Sequence, residues 1–244
     1  NIPVLSWLIL RGRARCCGGK FSVRYPAVEL LTGLLFLACW LLLPPARAAG
    51  GMVLMSALVA ATFIDLDHMI IPDVFSIGLG VVGVLLSFLM PAMQGECSGV
   101  FVVDSLRAVV TSLLGLLVGS GLVLWIALVA EAVLKKEAMG FGDVKLVGAI
   151  GAFTGWQGTV TAIFGGAVVG CVWFIVAMVW QKVAGKNAPE LLKAETAEGE
   201  KTEVGLGAQV PYGPMLAIAG AAHFLWLHKP VAVYFAQIQE LLVR

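Results

Sequence analysis

Charge is what this sequence has least of. Of its 244 residues, 13% are Asp, Glu, Lys or Arg, about half the share of a soluble domain. That excludes a water-soluble fold with an ordinary charged shell. A net charge of +1 excludes the strong basic surface that nucleic acid selects, so no nucleic-acid partner is expected. Cys16, Cys17, Cys39, Cys97 and Cys171 are scattered, partly inside apolar runs, which excludes a disulfide framework. Cys16-Cys17 has no second pair or histidine at ligand spacing, so the residues carry no zinc signature and read as reduced thiols. The chain opens at Asn1 with neither methionine nor signal peptide, so a further N-terminal piece is expected in the natural protein.

What is present is apolar. Hydrophobic residues make up 60% of the chain and the mean hydropathy is +0.96. The expectation is an all-α polytopic membrane helix bundle of about seven spans. The apolar runs cover about 27–45, 51–66, 73–90, 107–134, 144–155, 158–180 and 215–227. The fifth run is short and breaks at Gly155-Trp156, and the apolar tail 230–243 is expected along the membrane interface. Residues 1–29 read as a basic cytoplasmic segment, and 30–244 as the membrane domain with a polar loop at 182–209. With a cytoplasmic start, twelve of the sixteen Lys and Arg fall in cytoplasmic segments, as the positive-inside bias requires. Asp65 and Asp143 then both lie at cytoplasmic helix ends, at one depth.

Three of the five aspartates stand together in Asp65-Leu66-Asp67-His68-Met69-Ile70-Ile71-Pro72-Asp73. Asp143 follows in Met139-Gly140-Phe141-Gly142-Asp143-Val144-Lys145. A carboxylate at a membrane edge is costly and usually has a job. Two facing carboxylates share a proton, one acting as base on a water and the other as acid on a carbonyl. Asp65 and Asp143 are therefore the candidate catalytic pair, for peptide hydrolysis without metal or covalent intermediate. Gly140 and Gly142 would let a substrate backbone approach closely. Asp67 is placed to tune Asp65, and Lys145 to offset Asp143. Asp73 reads as the cap of the third helix, His68 as structural, and His223 as a core residue without an obvious partner. Glu131 reads either as a snorkelling residue or as a partner behind the site. The glycines from Gly148 to Gly170 read as surfaces for tight helix packing.

At these residues the chain resembles the type IV prepilin peptidases, aspartic proteases marked by a Gly-x-Gly-Asp motif. The likeness runs from Asn1-Ile2-Pro3-Val4-Leu5-Ser6-Trp7 through Arg24-Tyr25-Pro26-Ala27-Val28-Glu29-Leu30 and both aspartate motifs. It ends with Pro211-Tyr212-Gly213-Pro214 and Leu216-Ala217-Ile218-Ala219-Gly220. The resemblance implies a bacterial inner-membrane enzyme that cuts the basic leader from type IV prepilins or type II secretion pseudopilins, on the cytoplasmic side after a glycine. It matches the catalytic aspartates to Asp65 and Asp143. Many members then N-methylate the new terminus from S-adenosylmethionine, and Gly12 and Arg13 match a Gly-Lys pair implicated in that step. Members usually carry paired Cys-x-x-Cys motifs, but here Ala14 stands at one cysteine position and Cys17 matches another. A four-cysteine zinc site is therefore not expected, and the peptidase step needs no cofactor.

The resemblance also implies a substrate with a basic leader and an apolar mature helix. Glu29, Asp73 and Glu137 are the acids expected to meet the leader, and an apolar groove in the bilayer the helix. Glu137 has an equal alternative, pairing with Lys135 or Lys136 in a solvated loop. Two other classes compete: a proton-coupled transporter using Asp65 and Asp143 as a relay, and a non-catalytic assembly protein. A transporter would favour internal repeats and acids at mid-membrane, and the sequence shows neither.

Overall fold

Prolines and glycines cut this chain into helices. The computed structural model describes residues 3–13, 15–20, 22–95, 97–135, 139–184, 194–195, 201–202 and 211–243. Helix α1 is Pro3–Ile9, α2 is Arg24–Leu42 and α3 is Pro45–His68. Helix α3 starts earlier than the apolar run suggests, because Pro45 fits a first turn. Gly50 and Gly51 do not break it; they lie against Met93 and Phe224. It stops where Met69 turns left-handed at φ 52° and donates its N–H to the Asp65 carbonyl at 2.9 Å. A π-helical turn, Val74–Gly78, then leads into α4, Leu79–Leu89, and α5 is Phe101–Leu134. Helix α5 begins at Phe101, ahead of the apolar run read from 107, so Asp104 lies in its first turn. Helix α6 is Phe141–Ala184. A strand pair follows, β1 Ala194–Glu195 with β2 Lys201–Thr202. The rest of the 182–209 loop beyond α6 lies outside the described residues. Helix α7, Gly213–Ala222, continues through a π-helical turn, His223–Leu227, into α8, His228–Val243. The tail expected along the interface is therefore part of one apolar helix, Gly213–Leu241.

Helix α6 is two arms. Gly155 sits at φ 69°, ψ 179°, where glycine alone is comfortable, and the chain doubles back there. On the first arm, Gly148 lies against Leu116 and Ser120 of α5, and Gly151 against Gly115. On the second, Thr159 donates its hydroxyl to Gly115 O at 3.2 Å and Gly155 O at 3.0 Å. Farther along, Gly166 and Gly170 meet Tyr212, Leu216 and Met215 at the start of α7. The expected close packing of small residues holds: a side chain on Gly115 would run into Gly151.

The first arm is the centre of the bundle. Val144, Leu146, Val147, Ala149, Ile150, Ala152 and Phe153 are all buried. Helix α5 packs on α6, α6 on α7, α3 on α2 and α7, and α4 on α5 and α6. Five helices are long and apolar enough to cross a membrane, and the shorter apolar stretch Val74–Leu89 joins them. Counting α6 as two arms gives the seven apolar passages read from sequence. The first arm, residues 141–154, rises only about 21 Å, less than a bilayer core. It can be short because protein surrounds it.

Candidate active site

Asp65 continues the buried stripe of α3. Leu54, Leu58, Ala61 and Asp65 follow at helical spacing, and all are buried, Asp65 at 5% exposure. A carboxylate in that stripe must face the interior. Asp143 does the same on α6: it sits in the first turn, is 8% exposed, and its N–H bonds the Gly140 carbonyl at 3.1 Å.

Ile71 brings the two together. A Cβ on Gly142 would lie 3.3 Å from Ile71 Cβ. One on Gly213 would lie 3.1 Å from Ile71 Cδ1 and 2.5 Å from Asp65 Oδ2. The end of α3, the start of α6 and the start of α7 therefore meet around one side chain. Asp143 lies within electrostatic range of Asp65. The Gly213 amide donates toward the Asp65 carboxyl, at a helix N-terminus where the backbone favours negative charge. Asp65 Oδ2 is buried without a hydrogen-bond partner among the described residues. An orphaned buried oxygen of this kind is a position for water or substrate.

Tyr212 and Gly213 also belong to this site, although the sequence alone gives them no role. Their signal was in the chain, in Pro211-Tyr212-Gly213-Pro214. The Tyr212 hydroxyl donates to Ile163 O at 3.3 Å. Burial, then the charge of Asp143, pushes its phenol above the usual range. Tyr212 also lines a cleft of about 450 Å³ with Gly170, Cys171, Phe174 and Met215, almost wholly apolar. The α5–α6 register pairs Gly119 with Val147 and Gly115 with Gly151, which sets Asp143 level with Val123. Helix α5 runs on to Leu134, about 16 Å farther, with Leu128, Val129 and Val133 exposed. On that side α5 stands as an apolar wall beyond the level of the aspartates.

Several supporting residues do other work than expected. Lys145 Nζ bonds Asp73 Oδ1 at 2.7 Å, and its ion pair is with Asp73 and not Asp143. Asp73 makes no side-chain cap on the turn that follows. The pair ties the π-helical turn to α6 across 72 residues of sequence. Asp67 pairs with Arg24 at 2.6 Å, and Arg24 also donates to Phe63 O at 3.1 Å and covers the Phe63 ring at 5.0 Å. That contact locks α2 to α3. Gly142 accommodates Ile71 where a substrate backbone was expected, whereas Gly140 meets only Asp143 Oδ2 among the described residues, at 3.9 Å. His68, Glu29 and Glu131 are exposed. Glu137 lies outside the described residues.

The family models now decide the identity. A model described as "Type IV leader peptidase family" matches residues 52–175, half of the chain, and includes both aspartates. One described as "Bacterial Peptidase A24 N-terminal domain" matches residues 1–43. The chain belongs to the type IV leader peptidase family. A protein of Pectobacterium carotovorum subsp. carotovorum named "Prepilin leader peptidase/N-methyltransferase" is 36% identical over 90% of this chain and 67% of its own length. One of the same name from Aeromonas hydrophila is 36% identical over 93% of this chain and 66% of its own. The "Type 4 prepilin-like proteins leader peptide-processing enzyme" of Escherichia coli O78:H11 is 36% identical over 91% and 68%. The chain thus spans about two thirds of these relatives. No solved structure matches.

Within the N-terminal part of this leader-peptidase chain, Gly12 is left-handed at φ 71° and packs beside the Trp7 ring. Arg13 pairs with Lys20 in an antiparallel bridge. Cys16 and Cys17 are exposed, and the Cys17 thiol is held below its usual range by the Gly19 amide, then by Cys16. Two adjacent thiols with no third histidine, cysteine or carboxylate grouped with them among the described residues do not fit a structural zinc site.

Proposed function

We propose that this protein is a membrane aspartic endopeptidase that removes the leader of type IV prepilins or type II secretion pseudopilins. Asp65 and Asp143 are its catalytic pair. The observation that carries this is their convergence: two buried carboxyls, 78 residues apart in sequence, meet around Ile71 and Gly213. Their charges disfavour double ionisation, so one proton is shared. The ionised carboxyl takes a proton from a water as the water oxygen bonds the scissile carbonyl carbon. The protonated carboxyl donates to the carbonyl oxygen. When the C–N bond breaks, the carboxyl that took the water's proton gives it to the leaving amine, and the other carboxylate takes a proton from a diol hydroxyl as the C=O re-forms.

The apolar cleft beside Tyr212 is the seat of the substrate's apolar helix, and the site faces the cytoplasm of a bacterial inner membrane. The charge bias of the loops supports that orientation. Glu29 and Asp73, with Glu137, remain the acids for the basic leader. Asp73 serves while partnered by Lys145, at 62% side-chain exposure. Asp67, Gly140, Gly142 and Lys145 support the pair through the contacts already described. Two of the relatives carry "N-methyltransferase" in their names; methyl transfer, with S-adenosylmethionine as donor, is assigned to residues 1–29 with Gly12 and Arg13. The test is purified full chain in detergent with a synthetic prepilin, read by mass spectrometry. A single cut after the leader glycine supports the reading. An intact substrate with a folded, monodisperse enzyme overturns it.

A further inference from the structure

A second polar cluster lies at the other end of the molecule. Arg47, in the first turn of α3, is eighteen residues from Asp65, about 27 Å along the helix axis. His223 opens the π-helical turn after α7, and His228 opens α8. Arg47 acts electrostatically on both histidines, and Lys229 on His228. The guanidinium lies 4.8 Å over the Phe224 ring.

The cluster has nitrogen atoms without partners. His223 is 2% exposed, and its Nδ1 has no hydrogen bond among the described residues. Arg47 Nε is likewise buried and unpaired among the described residues, and His228 Nδ1 is buried with only the Phe224 backbone carbonyl near it and no full hydrogen bond. Both ion pairs found among the described residues lie elsewhere, at Asp67 and Asp73. A half-buried guanidinium with no counter-charge among the described residues is costly unless something compensates it. A packed structural histidine would have its nitrogens satisfied. A metal ion is opposed by the guanidinium, and no third metal-binding side chain stands with the histidines among the described residues. A proton relay would need an acid, and none among the described residues acts on these groups.

We propose that Arg47, His223 and His228 form an anion site for a phosphate group, supplied by a phospholipid headgroup at the membrane face opposite the aspartates. Arginine suits phosphate because its fork offers parallel donors. Arg47 and His228 are half-buried and open the site to the rim, where Lys229 is exposed, while His223 closes the bottom. Trp226 and Leu227 are exposed beside it, as are Trp40 and Leu41 at the end of α2. Tryptophan at that level marks the headgroup zone of a bilayer. Free phosphate shares the recognition chemistry but has no use for the apolar rim.

The test uses the full chain, delipidated in neutral detergent. Dioleoyl phosphatidylglycerol, diacylglycerol and inorganic phosphate are added separately, with thermal midpoint and native mass spectrometry as readouts. Phosphatidylglycerol should raise the midpoint and stay bound, and diacylglycerol should do neither. Arg47→Gln should weaken retention by roughly tenfold or more, Arg47→Lys by less, and His228→Gln should also weaken it. If Arg47→Gln does not fold, His228→Gln at the rim carries the comparison. An equal lipid effect in wild type and both glutamine variants, or an equal effect of diacylglycerol, overturns the site. A variant-sensitive shift with inorganic phosphate alone keeps the anion site and overturns the lipid as its source.

Discussion

Replacing Gly213 with alanine tests how tightly the site is built. The added Cβ would stand 2.5 Å from Asp65 Oδ2 and 3.1 Å from Ile71 Cδ1. Neither neighbour can yield freely, because Asp65 and Ile71 are both buried. Overpacking of this kind costs about 1–3 kcal/mol. The larger effect should fall on catalysis, since the carboxyl must rotate or α7 must move. A shift of about 1 Å in a reacting group can cost about 10²-fold in rate. The assay is prepilin cleavage in detergent at several substrate concentrations, with the thermal midpoint measured on the same samples. The expected result is a fall in kcat of about 10- to 100-fold with a modest fall in midpoint. Gly33→Ala is the control: Gly33 is exposed in mid-α2 with nothing within 4 Å of its added Cβ. That change should leave cleavage alone and stabilise α2 by about 0.5–1 kcal/mol. A Gly213→Ala enzyme with wild-type kcat would refute the close approach of α7 to Asp65.

Other expectations follow from the same contacts. Tyr212→Phe should lower stability by about 1 kcal/mol through loss of the bond to Ile163 O. Because burial, then the charge of Asp143, raises the Tyr212 phenol, it should ionise at higher pH than a free tyrosine; a loss of cleavage at mildly alkaline pH, abolished by Tyr212→Phe, would contradict this. A double-mutant cycle on Asp73→Asn and Lys145→Gln should give a coupling of about 0.2–1 kcal/mol, since Asp73 is largely exposed; a coupling near zero would deny the pair any structural role. In a chain with Cys16, Cys17 and Cys97 changed to serine, a maleimide should react at Cys171 and block cleavage, and prepilin should protect the thiol. Modification without inhibition would remove the cleft as the substrate seat. Methyl transfer should persist in the presence of a strong chelator, and its selective loss would restore a metal to residues 1–29.

What could be read along one helix was read. Asp65 announces itself as an acid in a buried stripe, and Asp143 as an acid closing a glycine motif before an apolar run. The break at Gly155 is visible in sequence too, because glycine ends a helix wherever the backbone must turn left-handed. What the sequence hid depends on partners distant in the chain. Lys145 is two residues from Asp143, but its side chain reaches Asp73. Asp67 is two residues from Asp65, about 200° round the helix, and so faces Arg24 instead. Gly213 gains meaning only when α7 is docked on α3. The start of α3 was misread because Gly50-Gly51 look like a break, yet they lie inside a helix whose neighbours fill the space above them.

The pairing of the two aspartates is tested most directly by Asp65→Asn and Asp143→Asn, each nearly isosteric with the residue it replaces. Each variant should keep the wild-type thermal midpoint within a few degrees. Each should lose cleavage of a synthetic prepilin to below detection, because neither acid can do the work of both. A well-folded Asp65→Asn or Asp143→Asn protein that still cuts at the wild-type rate would contradict the catalytic pair.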